Sequence, residues 1–325
     1  FIKSLVVSRA LRKRGREILV HTGQHYHWNM SRIFFAGLSL PEPDYHLKVG
    51  PGTPGRQLGR MLSRLEEVLR RDKPDFVLVY GDSRTTLAVL FCSGERAARN
   101  LAAEGVGGVY RQGRLVEQAD LPDLPPGQKV LNVGDVMYET LLEVLQTSSG
   151  LPAKGRQEAG AGAAGEYLLA TVHRAENTDQ RERLAVILAG LAAAGEKVVF
   201  PLHPRTAKMI KNFSLGGLLN SPHIEVIEPL DYRSMISLLK NARKVITDSG
   251  GVQKEAFFLK VPCITLREET EWVETVERGC NVLVGCDRLL LREALQAEPA
   301  GDWSGFPYGR GDASLLLASI LEGFL

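Results

Sequence analysis

The chain has 325 residues, room for two domains of ordinary size, and its 44% hydrophobic and 24% charged content is that of a globular protein. A net charge of +2 gives no electrostatic reason to expect a nucleic-acid or membrane partner, and no apolar run is long enough to span a bilayer. The four cysteines, Cys92, Cys263, Cys280 and Cys286, form no CxxC pair and no metal-type spacing, and nothing resembles a secretory signal, so a reduced, cytoplasmic chain is expected.

Phe1 to Arg14 reads as a helix, with Ile2, Val6 and Ala10 apolar, basic residues at its end and Gly15 as a stop. Doubly wound domains begin with a strand, so the first strand is expected to lie before Phe1. Glu17 to His21 reads as a strand running into the polar, aromatic loop Thr22 to Ser31. Gln57 to Arg71 reads as a helix with Leu58, Met61, Leu62, Leu65, Val68 and Leu69 on one face, broken by Pro74. Phe76 to Tyr80 reads as a buried strand, and Gly81-Asp82-Ser83 turns it into a helix. Phe91 to Glu95 then reads as the opening of another helix, too soon for the crossover that a parallel sheet needs. Gln112 to Lys129 looks like a surface insertion. Val130 to Val133 restores a strand, and Gly134 leads into a helix through Leu145.

Thr147 to Gly165 is rich in Gly, Ala and Ser and lacks periodicity. It divides a first domain, 1–146, from a second, 166–310. The second alternates more cleanly, with strands at Tyr167–Thr171, Lys197–Phe200, Ile224–Val226, Lys244–Thr247 and Pro262–Thr265. Ala313 to Phe324 is a closing amphipathic helix. Alternating β and α implies parallel sheets in an α/β protein.

Ligands of open α/β sheets bind at the carboxyl ends of the strands. Polar clusters fall there: Thr171-Val-His-Arg-Ala-Glu-Asn177, His203-Pro-Arg205, Asp248-Ser-Gly-Gly251 and Arg267-Glu-Glu-Thr-Glu-Trp272. Ser249 is a good N-cap, and two glycines let a ligand approach the backbone at a helix start, where unpaired N–H groups suit a phosphate. Glu255, one turn in, could take the hydroxyls of a ribose. The plain alternative is a glycine-softened αβ turn. Cations at Arg174, Arg205 and Arg267 suit a nucleotide diphosphate carrying a polar sugar. A loop histidine such as His203 is by itself more often structural. Asp82 could be an acid/base group or only a helix cap. The spacing of His21, His25, His27 and Trp28 matches no metal-ligand pattern, and neither a metal nor a redox cofactor is expected.

The motifs His21-Thr-Gly-Gln-His25, Gly81-Asp-Ser-Arg-Thr-Thr-Leu-Ala88, Gly134-Asp-Val-Met137, Thr171 to Asn177, His203-Pro-Arg205, Pro229-Leu-Asp-Tyr232, Thr247 to Glu255 and Arg267 to Glu274 occur in order along nearly the whole chain. Together they resemble the non-hydrolysing UDP-N-acetylglucosamine 2-epimerases. The resemblance implies two Rossmann-like domains facing each other across a cleft, as in B-type glycosyltransferases, with 311–325 crossing back to the first domain. It implies interconversion of UDP-N-acetylglucosamine and UDP-N-acetylmannosamine through 2-acetamidoglucal, in a homodimer that supplies surface polysaccharide. Carried onto this sequence, His173, Ser249, Gly250 and Gly251 hold the diphosphate and Glu255 the ribose. Lys3 matches a lysine near the cleft, and Asp82 matches the acid/base aspartate. Arg267, Thr270 and Glu271 line the sugar and phosphate side, with Arg174 and Glu176 beside them. Gln24, His25 and His203 match positions near a second, activating UDP-N-acetylglucosamine.

Two departures bear on activity. The family's opening strand and its arginine-bearing loop would precede Phe1. A segment carrying two catalytic glutamates, the size of a βαβ crossover of roughly 30 residues or more, has no counterpart between the helix after Asp82 and Phe91–Asn100. The resemblance thus leaves three functions in play: the epimerase, with the Glu271-Trp272 pair also compatible with a UDP-2,3-diacetamido uronic acid; a catalytically impaired UDP-sugar binder; and a glycosyltransferase of the same fold.

Overall fold

The computed structural model describes residues 2–22, 41–50, 53–80, 89–92, 96–97, 109–110, 129–147, 165–298, 300–305 and 307–322. They fall into two α/β units, Phe1–Val144 with Phe306–Leu325, and Leu145–Gly305.

The first unit opens with α1 (Ile2–Arg12), whose Leu5, Val6, Val7 and Ala10 are buried. β1 (Val20–His21) pairs in parallel with β2 (Tyr45–His46). Next comes α2 (Pro54–Asp72), starting at Pro54, where a missing N–H costs nothing. It ends on Lys73 in the left-handed region, φ 42°, whose N–H closes on the Leu69 carbonyl at 3.0 Å. Its buried stripe is narrower than expected: Met61, Leu65 and Val68 pack on Leu47 and Val49, while Leu58 and Leu62 are exposed.

A second sheet joins β3 (Val89–Cys92), β4 (Val109–Tyr110) and β5 (Lys129–Asn132), all parallel, with β5 central. This corrects the expected helix at Phe91. Val89-Leu-Phe-Cys92 is an apolar run that lies in the ladder beside β5. The expected buried strand Phe76–Tyr80 is also corrected. Among the described residues it joins no ladder; Leu78 packs on Val6, Val7 and Leu317, while Phe76, Val77, Val79 and Tyr80 are exposed. A β-prone run is not a strand until a neighbour pairs with it. α3 (Val136–Thr147) follows, capped by Asp135, whose Oδ1 accepts from the N–H groups of Met137 and Tyr138.

The second unit is a doubly wound domain. Its elements are β6 (Leu168–Thr171), α4 (Ala175–Thr178), α5 (Arg181–Ala192), β7 (Val198–Pro201), α6 (Pro204–Asn212), β8 (Ile224–Ile227), α7 (Tyr232–Asn241), β9 (Lys244–Thr247), α8 (Gly250–Phe258), β10 (Cys263–Thr265), α9 (Val273–Glu277), β11 (Asn281–Leu283) and α10 (Arg288–Gln296). The strands run parallel in the order β11-β10-β9-β6-β7-β8. β11 is an addition to the expected strands, too short at three residues to show alternation. The chain leaves β6 first to one side and, after β8, returns to the other. The crevice at this reversal opens between the carboxyl ends of β6 and β9, where such domains take ligands. Leu184, Ile187, Leu188 and Leu191 of α5 sit in a core with Leu168, Val198, Phe200 and Ile246. Gly190 lies so close to Leu291 of α10 that a β-carbon there would overlap it. At the opposite edge, buried Lys244 donates from Nζ to the carbonyls of Ala294, Leu295 and Ala297 at 3.0, 2.7 and 2.6 Å, tying the end of α10 to β9.

The chain then returns to the first unit as α11 (Ala313–Glu322), which packs Leu317 against Val6 and Val7 of α1. Gly134 and Gly309, both at positive φ, cross with backbones touching, and Tyr308 accepts from the Asp135 N–H at 2.8 Å. Glu139 of α3 accepts from the N–H and hydroxyl of Ser314. Among the described residues, no helix is long and apolar enough to cross a membrane.

Candidate active site

The reversal point is stitched by one side chain. Asp248, wholly buried, follows β9 and reaches across to the loop after β6. Its carboxylate accepts from the N–H of His173 at 3.1 and 3.0 Å, from the N–H of Arg174 at 2.9 Å and from Asn177 Nδ2 at 3.2 Å. His173 Nδ1 lies 3.3 Å from Oδ1. Asn177 also donates to the Leu266 carbonyl at 2.9 Å, which adds the end of β10. Below them the Thr171 and Thr247 hydroxyls meet at 2.6 Å.

On this base stands the start of α8. Ser249 caps it as the sequence implies, with Oγ accepting from the Val252 N–H at 3.4 Å. Gly250 and Gly251 form the first turn. A methyl on Gly250 would meet Trp272 Nε1 at 3.4 Å, Glu271 Oε2 at 3.5 Å and an Arg174 nitrogen at 3.8 Å, so three loops converge there. Trp272 Nε1 donates to the Gly250 carbonyl at 2.7 Å, and the Lys254 ammonium lies 4.0 Å over its ring.

Arg267 donates to Glu271 Oε2 at 2.9 Å, and its Nε is 3.6 Å from Glu176. Burial pushes the Glu271 carboxyl up, but the hydrogen bond from Arg267, a backbone hydrogen bond and the charges of Arg267 and Arg174 together outweigh this, and its pKa falls below the ordinary value. Thr270 donates to the buried Gln253 Oε1 at 2.6 Å, which fixes the loop on α8. Glu255, one turn into α8, is buried. Desolvation drives its pKa up to about 7, against the opposing pull of Tyr232 and Lys254. The Tyr232 hydroxyl is buried without a well-formed hydrogen bond among the described residues.

His203 caps α6, its Nδ1 accepting from the Arg205 N–H at 3.1 Å. Its ring lies 5.4 Å from that of His173. Burial, then the neighbouring His173, lowers its pKa, with Asp248 opposing. Arg205 donates to both oxygens of the Asp179 carboxylate, at 2.7 and 2.5 Å.

The second unit thus brings together His173, Arg174, Glu176, Ser249, Gly250, Gly251, Glu255, Arg267, Thr270 and Glu271, with His203 beside His173. Lys3 is exposed on α1 of the first unit. Asp82, Gln24 and His25 lie outside the described residues. Sequence reasoning passed over Asp248 as more than a turn residue, and over Asn177 and Gln253. Its only available signal was their polarity within an apolar strand–helix junction.

A parallel sheet with this strand order, and a Gly-rich helix start at its reversal point, defines a nucleotide-binding α/β enzyme. The family model described as UDP-N-acetylglucosamine 2-epimerase matches residues 9–91 and 88–322, and the chain belongs to that family. It is accordingly a UDP-sugar 2-epimerase, an isomerase. A UDP-N-acetylglucosamine 2-epimerase of Methanocaldococcus jannaschii is 35% identical, over 98% of this chain and 95% of its own. The UDP-2,3-diacetamido-2,3-dideoxy-D-glucuronate 2-epimerase of Pseudomonas aeruginosa is 37% identical, over 99% and 96%. A crystal structure of the M. jannaschii enzyme, in complex with UDP-GlcNAc and UDP, superposes with a TM-score of 0.82 at 34% identity, covering 99% of this chain and 96% of that one. These relatives favour the epimerase over the inactive binder and the glycosyltransferase.

Proposed function

We propose that this chain interconverts UDP-N-acetylglucosamine and UDP-N-acetylmannosamine by elimination and re-addition of UDP. A base takes the C2 proton, the C1–O bond to UDP breaks with its electron pair left on the diphosphate, and a C1=C2 double bond forms in 2-acetamidoglucal. Re-addition with protonation from the other face gives the epimer. The observation that carries this reading is the convergence at Gly250. The N-terminus of α8 and Arg174 meet at Gly250, and Asp248 just before that turn holds His173, so donors stand ready for a diphosphate that gains charge as it leaves, and stabilising that charge is the main demand of the step. Glu255, buried with a raised pKa, suits two ribose hydroxyls. In this reading Arg267, Thr270, Glu271 and Glu176 border the sugar, and Asp82 and Lys3 serve the proton transfer. Gln24, His25 and His203 serve a second, activating UDP-N-acetylglucosamine, and the protein works as a cytoplasmic homodimer.

The match to the family comes in two pieces that overlap at residues 88–91, close to where the resemblance leads one to expect the glutamate-bearing segment to be missing. Proton NMR with UDP-N-acetylglucosamine in deuterated water is therefore the direct test. Loss of the C2 proton with growth of manno signals supports the reading, whereas UDP binding with an unchanged spectrum refutes it. The 37% identity to the P. aeruginosa enzyme favours one second reading, a UDP-2,3-diacetamido uronic acid as substrate. Running the same experiment with both sugars separates the two.

A further inference from the structure

Asp248 is the most heavily hydrogen-bonded carboxylate described in the site, and every group around it is a donor. The N–H groups of His173 and Arg174 and the amide of Asn177 fill its oxygens at 2.9 to 3.2 Å. An ionised carboxylate offers only acceptors, so the His173 Nδ1 contact at 3.3 Å is favourable only when Nδ1 carries the proton. His203, its ring tilted beside that of His173, is fixed the other way. Its Nδ1 accepts from a backbone N–H, which leaves the proton of the neutral ring on Nε2. The two neighbouring imidazoles therefore carry opposite tautomers.

We propose that Asp248 is a positioning residue that holds the proton of His173 on Nδ1, so that a bound diphosphate is met at Nε2 by the doubly protonated ring. A diphosphate only accepts hydrogen bonds, and with Nδ1 committed to Asp248 the ring can donate to it only by taking a second proton on Nε2. That N–H then donates to the diphosphate oxygen that gains charge as the C1–O bond breaks. This rests on the reading that the diphosphate lies against His173.

The test is nitrogen-15 NMR of the full chain with labelled histidine, free and with UDP, the His173 signals being assigned with His173→Gln. The free protein should show His173 protonated on Nδ1 alone, and the UDP complex should show both nitrogens protonated. In Asp248→Asn, where an amide donor faces the ring, the signals should move to the Nε2–H form and kcat should fall by about 100-fold or more. A free His173 protonated on Nε2 alone, an unchanged ring on binding UDP, or an Asp248→Asn enzyme of normal kcat would each overturn the proposal. If Asp248→Asn does not fold, the wild-type signals still decide. If UDP does not bind at all, the functional reading fails instead, while the free-protein tautomer still tests the role of Asp248.

Discussion

Glu255 should act as a proton source when nucleotide binds. Its carboxyl is buried and has a pKa near 7, so about half of the molecules carry the proton at pH 7. Ribose hydroxyls donate to the ionised form and favour it, so binding UDP should drive the proton off. Wild type should therefore release about 0.5 proton more than Glu255→Gln at pH 7, read by titration calorimetry in buffers of different ionisation enthalpy. Stability carries the same signature. A carboxyl raised from 4.5 to about 7 contributes stability fully present below pH 4.5, and that contribution is lost as pH rises through about 7. At about 1.4 kcal/mol per pH unit, the gap amounts to about 3 kcal/mol. Glu255→Gln should match wild type near pH 4.5 and be more stable than it by up to about that amount at pH 8, read by thermal unfolding. Equal proton release by the two proteins at pH 7 would refute the placement of ribose on Glu255.

Gly250→Ala should leave the melting temperature unchanged or slightly raised, because the added methyl makes only ordinary contacts and alanine favours helix. The same methyl should weaken UDP binding about tenfold or more, about 1.4 kcal/mol, by calorimetry. Lys244→Met should cost about 2–4 kcal/mol in urea unfolding, because it strips the donor from three carbonyls at the end of α10. Gly190→Ala should cost about 1–3 kcal/mol in the same assay, because Leu291 is locked in the core and cannot give way.

The sequence was most legible where local pattern and final environment agree. Lys244-Val-Ile-Thr247 is β-branched, apolar and fully buried between two neighbours, and it is a strand over the expected residues. Phe76 to Tyr80 has similar composition but no ladder partner among the described residues, and a partner is a non-local fact. Val89 to Cys92 was misread for the opposite reason: Ser93-Gly-Glu looks like a helix start, and the pull of β5 cannot be seen from local sequence. The site followed the same rule. Ser249, Gly250 and Glu255 announce themselves by spacing along one helix. Asp248 acts on residues 74 and 75 positions away, so its role emerged only once β6 and β9 lay side by side.

The return of α11 to α1 makes the first unit discontinuous along the chain, whereas the second is a single uninterrupted stretch. Val6 and Val7 find Leu317 only after some 310 intervening residues have been made. On the ribosome, the second unit has all its strands in hand while the first still lacks the helix that covers α1. Vectorial synthesis therefore completes the uninterrupted second unit before the discontinuous first one can close.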